Sequence, residues 1–251
     1  MSLPADFLRA FERLCDAHGL DPAMAADELA ADYAFDSVEH SRAWVLMSSG
    51  RRLDLLNPSP MDLEEEDIVE GQAAVVRWGG STNGDHPIVD AQHAVNVLAS
   101  ARDASANGLD PWLELAILLH DASEGPLCFD PISPLKPFLG AGYRRLDRRL
   151  QAAIHVRVGL PGSLPPGWKE IIKTHDSRVA ASEALYMTPW TPDQVRRSLG
   201  IKVAPMETDR VGRANGLDPW RPWPKAVARE IFAAEFDRVL ARARQTPRTW
   251  Q

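Results

Sequence analysis

The residues that could do chemistry begin with a histidine and an aspartate at the end of an apolar run, in LELAILLHDASE. If the helix predicted by this run continues through them, His120, Asp121 and Glu124 lie on the same apolar face as Leu113. An imidazole and two carboxylates are costly to bury without compensation, and a divalent cation compensates them directly. The alternative is that this end of the helix reaches the surface, where water solvates the three groups.

Two further helices each place one ionisable side chain on an apolar face. In VDAQHAVNVL, His93 lies four residues after Val89, and in EIIKTHDSRVAASEA, Asp176 lies four residues after Ile172. Each alone is also explained as a hydrogen-bonded core histidine or a helix-pairing aspartate. Together with the His-Asp pair they offer two imidazoles and two carboxylates from three helices. This mixed nitrogen and oxygen set suits one Mn²⁺, Fe²⁺, Co²⁺, Ni²⁺ or Zn²⁺ ion.

The elements that must position these side chains are helices. Apolar periodicity predicts helices over 68–77, 89–104, 141–158, 166–187 and 223–243. Another helix opens at Asp110-Pro111, where the aspartate caps and the proline takes the first helical position, and it is predicted to run through LELAILLHDASE. Residues 3–48 predict two or three short helices around a break at 19–22. Because strand signals are scarce, the predicted fold class is all-α.

We expect three parts in the chain. An N-terminal helical extension covers 1–48, a core with the four candidate ligands covers 49–190, and a C-terminal loop and helix that pack on the core cover 191–251. In the last part, PWRPWP predicts a rigid aromatic loop that caps the core, and the alternative is a proline-rich ligand for a partner protein.

The whole chain has the composition of an ordinary globular protein, with 251 residues of which 45% are hydrophobic and 25% charged. Its net charge of −7 disfavours stable binding of duplex nucleic acid, which needs many Lys and Arg contacts to phosphate. Cys15 and Cys128 form neither a metal motif nor a disulfide framework. The first 19 residues are charged where a leader would be apolar, and no segment reaches the roughly 20 apolar residues of a membrane span. We therefore expect a cytoplasmic protein without a membrane partner.

These motifs resemble the HD superfamily of metal-dependent phosphohydrolases, whose signature is H…HD…D on helices. HDASEGPLCFDPISPLK is similar to the HDxxE…D…P.P.K stretch of bacterial 5′-deoxynucleotidases and their phage-borne relatives. GRRLDLLNPSPMDLEEEDI, RWGG and AQHAV resemble the segments before the first metal histidine of these enzymes, and KTHDSRVAASEA resembles the helix of the final ligand. The resemblance covers roughly residues 44 to 187.

The resemblance implies an HD-type helical bundle with one divalent ion, held by His93, His120, Asp121 and Asp176. It also implies a catalytic role for Glu124, which would orient or deprotonate the attacking water.

On the substrate side, the resemblance implies that Arg77 and Trp78 face the substrate and that Asp130 lies near the sugar and the leaving oxygen. Lys136 matches a basic residue of the same motif. Glu124 and Asp130 are separated by one residue more than in the usual pattern, so the loop that carries Asp130 must be rebuilt. The alternatives are a surface arginine for Arg77 and a core tryptophan for Trp78.

The function implied is hydrolysis of the phosphate ester of (deoxy)nucleoside 5′-monophosphates, with a small-molecule nucleotide as the partner. One alternative is a (deoxy)nucleoside triphosphate triphosphohydrolase. Another is a non-catalytic module that binds metal and nucleotide. A homodimer is left open.

Overall fold

The structure, a computed structural model, describes residues 5–17, 20–27, 29, 42–132, 134–248 and 250. It is helical, which confirms the predicted all-α class. The helices are α1 (Ala5–Ala17), α2 (22–27), α3 (Glu65–Ala74), α4 (Asp90–Ala104), α5 (Pro111–Leu118), α6 (Glu124–Leu127), α7 (Gly140–Val158), α8 (Trp168–Ser182), α9 (Pro192–Arg197), α10 (Arg210–Ala214) and α11 (Lys225–Arg244). Among these helices of the described chain, none combines the length and apolar character that crossing a membrane requires.

The core forms where α4 and α11 meet their neighbours. Helix α4 packs on α5 and α8, and α11 packs across α3, α4 and α5. The side chains of Phe232 and Phe236 on α11 are fully buried, and their rings stack with centroids 6.1 Å apart. Because α3 and α10 pack on α4 as well, Asp90 and His93 in its first two turns are withdrawn from water. The expected division of the chain into three parts, with boundaries at 48/49 and 190/191, stays a prediction.

Local sequence explains where several helices begin. The Asp110 side chain accepts a hydrogen bond from the Trp112 backbone N–H at 2.8 Å and Pro111 opens α5, as predicted. Asp21 accepts in the same way from the Met24 backbone N–H at the start of α2. Gly19, the first residue of the predicted break, lies outside the described residues. These caps satisfy backbone donors that have no partner inside a helix.

Helix α3 occupies Glu65–Ala74 rather than the predicted 68–77. It begins early because the Asp67 carboxylate accepts from the Glu64 backbone N–H at 2.8 Å, closing the first turn. It ends early because the following backbone is extended and Val76 pairs with Val89 in an antiparallel bridge. This bridge holds residues 75–77 beside the first turn of α4.

The structure also contains elements that were not predicted. Strands β1 (Trp44–Leu46) and β2 (Arg52–Asp54) form an antiparallel hairpin in which Val45 pairs with Leu53. The hairpin is short and only partly buried, so its sequence shows little of the alternation between apolar and polar residues that predicts a strand. The short helices α9 and α10 begin at the side-chain caps Thr191 and Asp209.

The helix predicted through LELAILLHDASE is wrong beyond Leu118, where α5 ends. The Gln151 side chain of α7 explains the break. It donates from Nε2 to the Leu119 carbonyl at 2.6 Å and accepts at Oε1 from the Ser123 N–H at 2.9 Å. In a continuous helix these two backbone groups would bond to each other. His120 and Asp121 therefore lie in a turn between α5 and α6.

The aromatic loop before α11 caps the core, as predicted. Trp223 is 1% exposed, and Trp220 is also buried. The Gln92 side chain fixes the loop to α4, because it accepts from the Trp223 N–H at 3.0 Å and donates to the Arg221 carbonyl at 2.8 Å. Gln92 directly precedes His93, so this contact also steadies the helix turn that carries a candidate ligand.

Candidate metal centre and substrate cleft

The structure brings together the four predicted ligands. One ligand atom from each of His93, His120, Asp121 and Asp176 lies within 4.8 Å of the others. They come from α4, the turn after α5, and α8, which are packed side by side. The two imidazole rings have centroids 5.3 Å apart.

The donor set fits a divalent cation. The Nε2 atoms of His93 and His120 are both buried and make no hydrogen bond to the described residues. They lie 3.3 Å from Asp176 Oδ1 and 3.2 Å from Asp121 Oδ2, without hydrogen-bond geometry. Two buried nitrogens without a donor or acceptor, facing two carboxylates, are the arrangement expected around a cation.

Each histidine is oriented through its other ring nitrogen. His120 Nδ1 lies 2.9 Å from the Ile117 carbonyl and must donate to it, since a carbonyl only accepts. His93 Nδ1 lies 2.8 Å from Glu183 Oε1. In both rings, these bonds place the lone pair of a neutral imidazole on Nε2, toward the cluster.

Glu183 is a site residue that sequence reasoning missed. It is 1% exposed, and besides His93 it accepts from Trp78 Nε1 at 2.9 Å and from Arg77 Nε at 3.3 Å. It begins the π-helical turn Glu183–Met187 that follows α8. The available signal was its spacing, because a residue seven positions after Asp176 returns to the same helix face.

A second group of carboxylates adjoins the cluster and contains Asp90, Glu124 and Asp130, with one oxygen from each within 4.8 Å of the others. The prediction placed Glu124 one turn after His120 on the same helix. In the structure, Glu124 instead stands at the start of α6. Helix α6 reaches this place because Gly125 faces Gly71 of α3, so closely that a Cβ on Gly125 would lie 2.9 Å from Gly71 Cα. Asp90 was not among the predicted site residues.

Two cations partly balance this carboxylate group. Lys136 Nζ donates to Glu124 Oε1 at 3.1 Å, and Arg77 Nη1 donates to Asp90 Oδ1 at 3.1 Å. Arg77 Nη1 also lies 3.7 Å from both Asp121 and Asp130. The surface alternative for Arg77 is wrong, since the residue is only 8% exposed.

Trp78 lies at the border between core and cleft. Its side chain packs partly against the hydrophobic core and also lines the cleft. The backbone there is left-handed, with φ of 56° at Trp78, and is followed by Gly79 and Gly80, which adopt positive φ without steric cost. The indole is oriented by its bond to Glu183.

A cleft of about 370 Å³ opens beside the cluster. Its charged end contains the predicted residues Arg77, Asp130 and Asp176. Its other walls come from the loop after α6, from α8 and from the segment 199–203. Lys136 contacts Glu124 but does not line this cleft.

Burial and crowding of like charges shift the ionisation of the site. Burial, and then repulsion by Asp121 and Asp90, raises the pKa of the Glu124 carboxyl to about 11 in the metal-free protein, although Lys136 lowers it. Burial by itself lowers the pKa of His93, as does Arg77. The Glu183 charge, the hydrogen bond that the ring donates to Glu183 and the nearby Asp176 carboxylate outweigh both and raise that pKa to about 9. Excess negative charge in the cluster therefore draws in protons, which a bound cation would replace.

Comparison with known proteins identifies a relative of this chain, but the description of that relative gives no activity. No family model matches the chain. A protein of Rhodobacter capsulatus described as uncharacterized is 46% identical over 160 residues, which span 63% of this chain and 80% of that protein.

Proposed function

The chain belongs to the family of this uncharacterized Rhodobacter capsulatus protein, and we propose that it is a metal-dependent phosphohydrolase of the HD type that hydrolyses the phosphate ester of (deoxy)nucleoside 5′-monophosphates. One observation carries the proposal. The orphaned Nε2 atoms of His93 and His120 face Asp121 and Asp176 beside a cleft that contains a buried arginine.

These four residues would hold one divalent transition metal. Such an ion, when bound, lowers the pKa of water and neutralises charge on a phosphoryl oxygen. The choice among Mn²⁺, Fe²⁺, Co²⁺, Ni²⁺ and Zn²⁺ depends on supply as well as on the ligands.

Arg77 is suited to bind the substrate phosphate. Its hydrogen bonds to described residues use Nε and Nη1, which leaves the two N–H groups of Nη2 for phosphate oxygens. Glu183 and Asp90 hold the guanidinium from two sides, so the side chain is ordered before the substrate arrives. A fixed, planar guanidinium is a good partner for a phosphate group.

Glu124 is suited to exchange a proton with the attacking water. It is 2% exposed, its Oε2 makes no hydrogen bond to the described residues, and Lys136 fixes its Oε1. Its high pKa belongs to the metal-free protein, because positive charge in the neighbouring cluster favours the ionised form. Asp130, close to Glu124 and Arg77, is suited to contact the sugar near the leaving oxygen.

The direct test is product release from a panel of nucleotides by the purified protein supplied with Mn²⁺, Co²⁺, Ni²⁺ or Zn²⁺. We expect inorganic phosphate from nucleoside 5′-monophosphates, with about one metal bound per chain. Release of triphosphate from nucleoside triphosphates would instead favour the triphosphohydrolase alternative. If no metal produces either activity, the proposal fails.

A variant separates chemistry from binding. Glu124→Gln should bind metal and nucleotide nearly as well as the parent, and turnover should fall about 10²- to 10⁴-fold because the proton acceptor is lost. Glu230→Gln, an exposed residue of α11, controls for the loss of one negative charge. Loss of metal from Glu124→Gln would make Glu124 a ligand, and undiminished turnover would remove it from the chemistry.

A further inference from the structure

Beyond its charged end, the cleft is mainly apolar, with Lys173 and Lys202 as the charged residues that also line it. On one side lie Ile132 and Pro134, from the loop after α6, and on the other lie Leu199, Ile201 and Val203. Several of these side chains are open to solvent although they are aliphatic, with Ile132 and Val203 each 46% exposed. The segment 199–203 lies outside the part of the chain that carries the family resemblance, roughly 44 to 187.

Helix α8 joins the apolar walls to the candidate metal centre. Lys173, Asp176, Ser177 and Ala180 all line the cleft, at helix positions i, i+3, i+4 and i+7, so one face of α8 forms its floor. Asp176 belongs to the metal cluster, while Ala180 leaves room above the floor. A ligand whose phosphate lies at Arg77 and Asp176 must therefore extend its remainder over this face and between the two apolar walls.

We propose that the segment 199–203, with Ile201 and Val203 as its contact residues, is the wall that binds the nucleobase. The inference rests on the proposed nucleotide substrate and names the part of the molecule that contacts its base. A base is flat and largely apolar on its faces, as these aliphatic walls require, and it is joined through the sugar to the phosphate. Its burial would cover aliphatic side chains that are otherwise exposed.

The same walls determine how selective the site is. Among the described residues that line the cleft, Ser177 and Trp78 are the uncharged side chains with a hydrogen-bonding group, and the Trp78 indole N–H already donates to Glu183. A site that holds a base by apolar contact discriminates weakly between bases, whereas strong discrimination needs buried polar partners. The segment 199–203 therefore makes the protein tolerant of purines and pyrimidines, and their affinities differ by no more than about tenfold.

Binding of non-hydrolysable analogues tests this wall independently of turnover. The probes are the 5′-methylenephosphonates of adenosine and cytidine, and ribose 5-methylenephosphonate, which lacks only the base. Affinities are measured by titration calorimetry on the full chain with Mn²⁺ present. We expect both nucleoside probes to bind at least about tenfold more tightly than the ribose probe.

Two variants then locate the effect. Ile201→Ser and Val203→Ser should each weaken binding of the nucleoside probes about three- to tenfold and leave the ribose probe unchanged, since only the base contact is lost. Val156→Ser, at a similarly exposed aliphatic residue of α7 outside the cleft, should change neither. Because both target residues are partly exposed, neither change opens a cavity in the core.

The outcomes separate the two proposals. A preference for nucleoside probes that both serine variants reduce supports the base wall, even if no nucleotide is hydrolysed and the proposed activity fails. Equal binding of nucleoside and ribose probes, an equal loss for both in the variants, or no binding of any probe overturns the base wall. If the base wall is overturned but phosphate is still released from nucleotides, the proposed activity remains supported.

Discussion

Glu183 shows how one buried side chain can order several functional groups. Its carboxylate accepts from His93, which belongs to the metal cluster. It also accepts from Trp78 and Arg77, which line the substrate cleft. Burial raises its pKa, but the charges of His93 and Arg77 outweigh this and lower it to about 2, so it stays ionised. A carboxylate that accepts from the distal nitrogen of a metal-binding histidine fixes the ring and raises its basicity.

The first prediction concerns this residue. Glu183→Gln should weaken Mn²⁺ binding about 10- to 100-fold, because the amide is a weaker acceptor for His93 Nδ1–H. Calorimetric titration of the metal measures the change, and Glu230→Gln on the exposed face of α11 is the matched control. Full metal affinity in Glu183→Gln would contradict a role of this residue at the metal centre and leave only its contacts with Trp78 and Arg77.

Among the elements, the interrupted helix between α5 and α6 matters most to the site. The Gln151 amide occupies the place of a backbone hydrogen bond, and the chain turns so that His120 and Asp121 face His93 and Asp176. A continuous helix would have carried Glu124 on the face of His120. Helix α7 therefore acts on the metal centre without contributing a ligand.

A second prediction follows for α7. Gln151→Ala should lower the free energy of unfolding by about 1–3 kcal/mol, because it leaves the buried Ser123 N–H without a partner among the described residues. It also removes one of the two hydrogen bonds to the Leu119 carbonyl, which still accepts from the Ala122 N–H. Metal affinity should also fall as the turn loses its support. Denaturant unfolding and metal titration measure these changes, with Arg148→Ala on the exposed side of α7 as the control. A stability loss with unchanged metal affinity would contradict the role assigned to the turn.

At the scale of the whole molecule, protons and metal compete for one negatively charged centre. The pKa of His93 is raised to about 9 in the folded, metal-free protein, against 6.5 as the ordinary value. A raised histidine pKa contributes stability that is fully present below about pH 6.5 and is lost as pH rises through about 9. Metal binding has the opposite dependence, because a cation needs the neutral ring.

The third prediction uses these opposite signs. Mn²⁺ affinity should rise about tenfold per pH unit between pH 7 and 8.5, as one proton is displaced from His93. The melting temperature without metal should fall over the same interval, so that the stabilisation by Mn²⁺ grows. Calorimetric titration and thermal unfolding at several pH values measure both. Metal affinity that does not change with pH would exclude His93 Nε2 as a ligand atom.

Much of the site could be predicted from the sequence. Helical periodicity placed His93 and Asp176 on apolar faces, and the apolar run before His120 and Asp121 led into a buried end, because burying ionisable groups has few physical solutions. Capping at Asp110 and Asp21 depends on neighbouring residues alone, so it too was predictable. The all-α class follows from the same periodicity.

Only the tertiary structure decided the rest, since it depends on residues that are distant in sequence. Gln151 ends a helix that local propensity would continue, and Gly71 lets α6 approach α3 closely enough to bring Glu124 beside Asp90. The role of Glu183 as a shared acceptor appears when α8 packs on α4. A sequence states each residue's chemistry and its local face, but a hydrogen bond between helices exists only after packing has fixed the distance and direction between them.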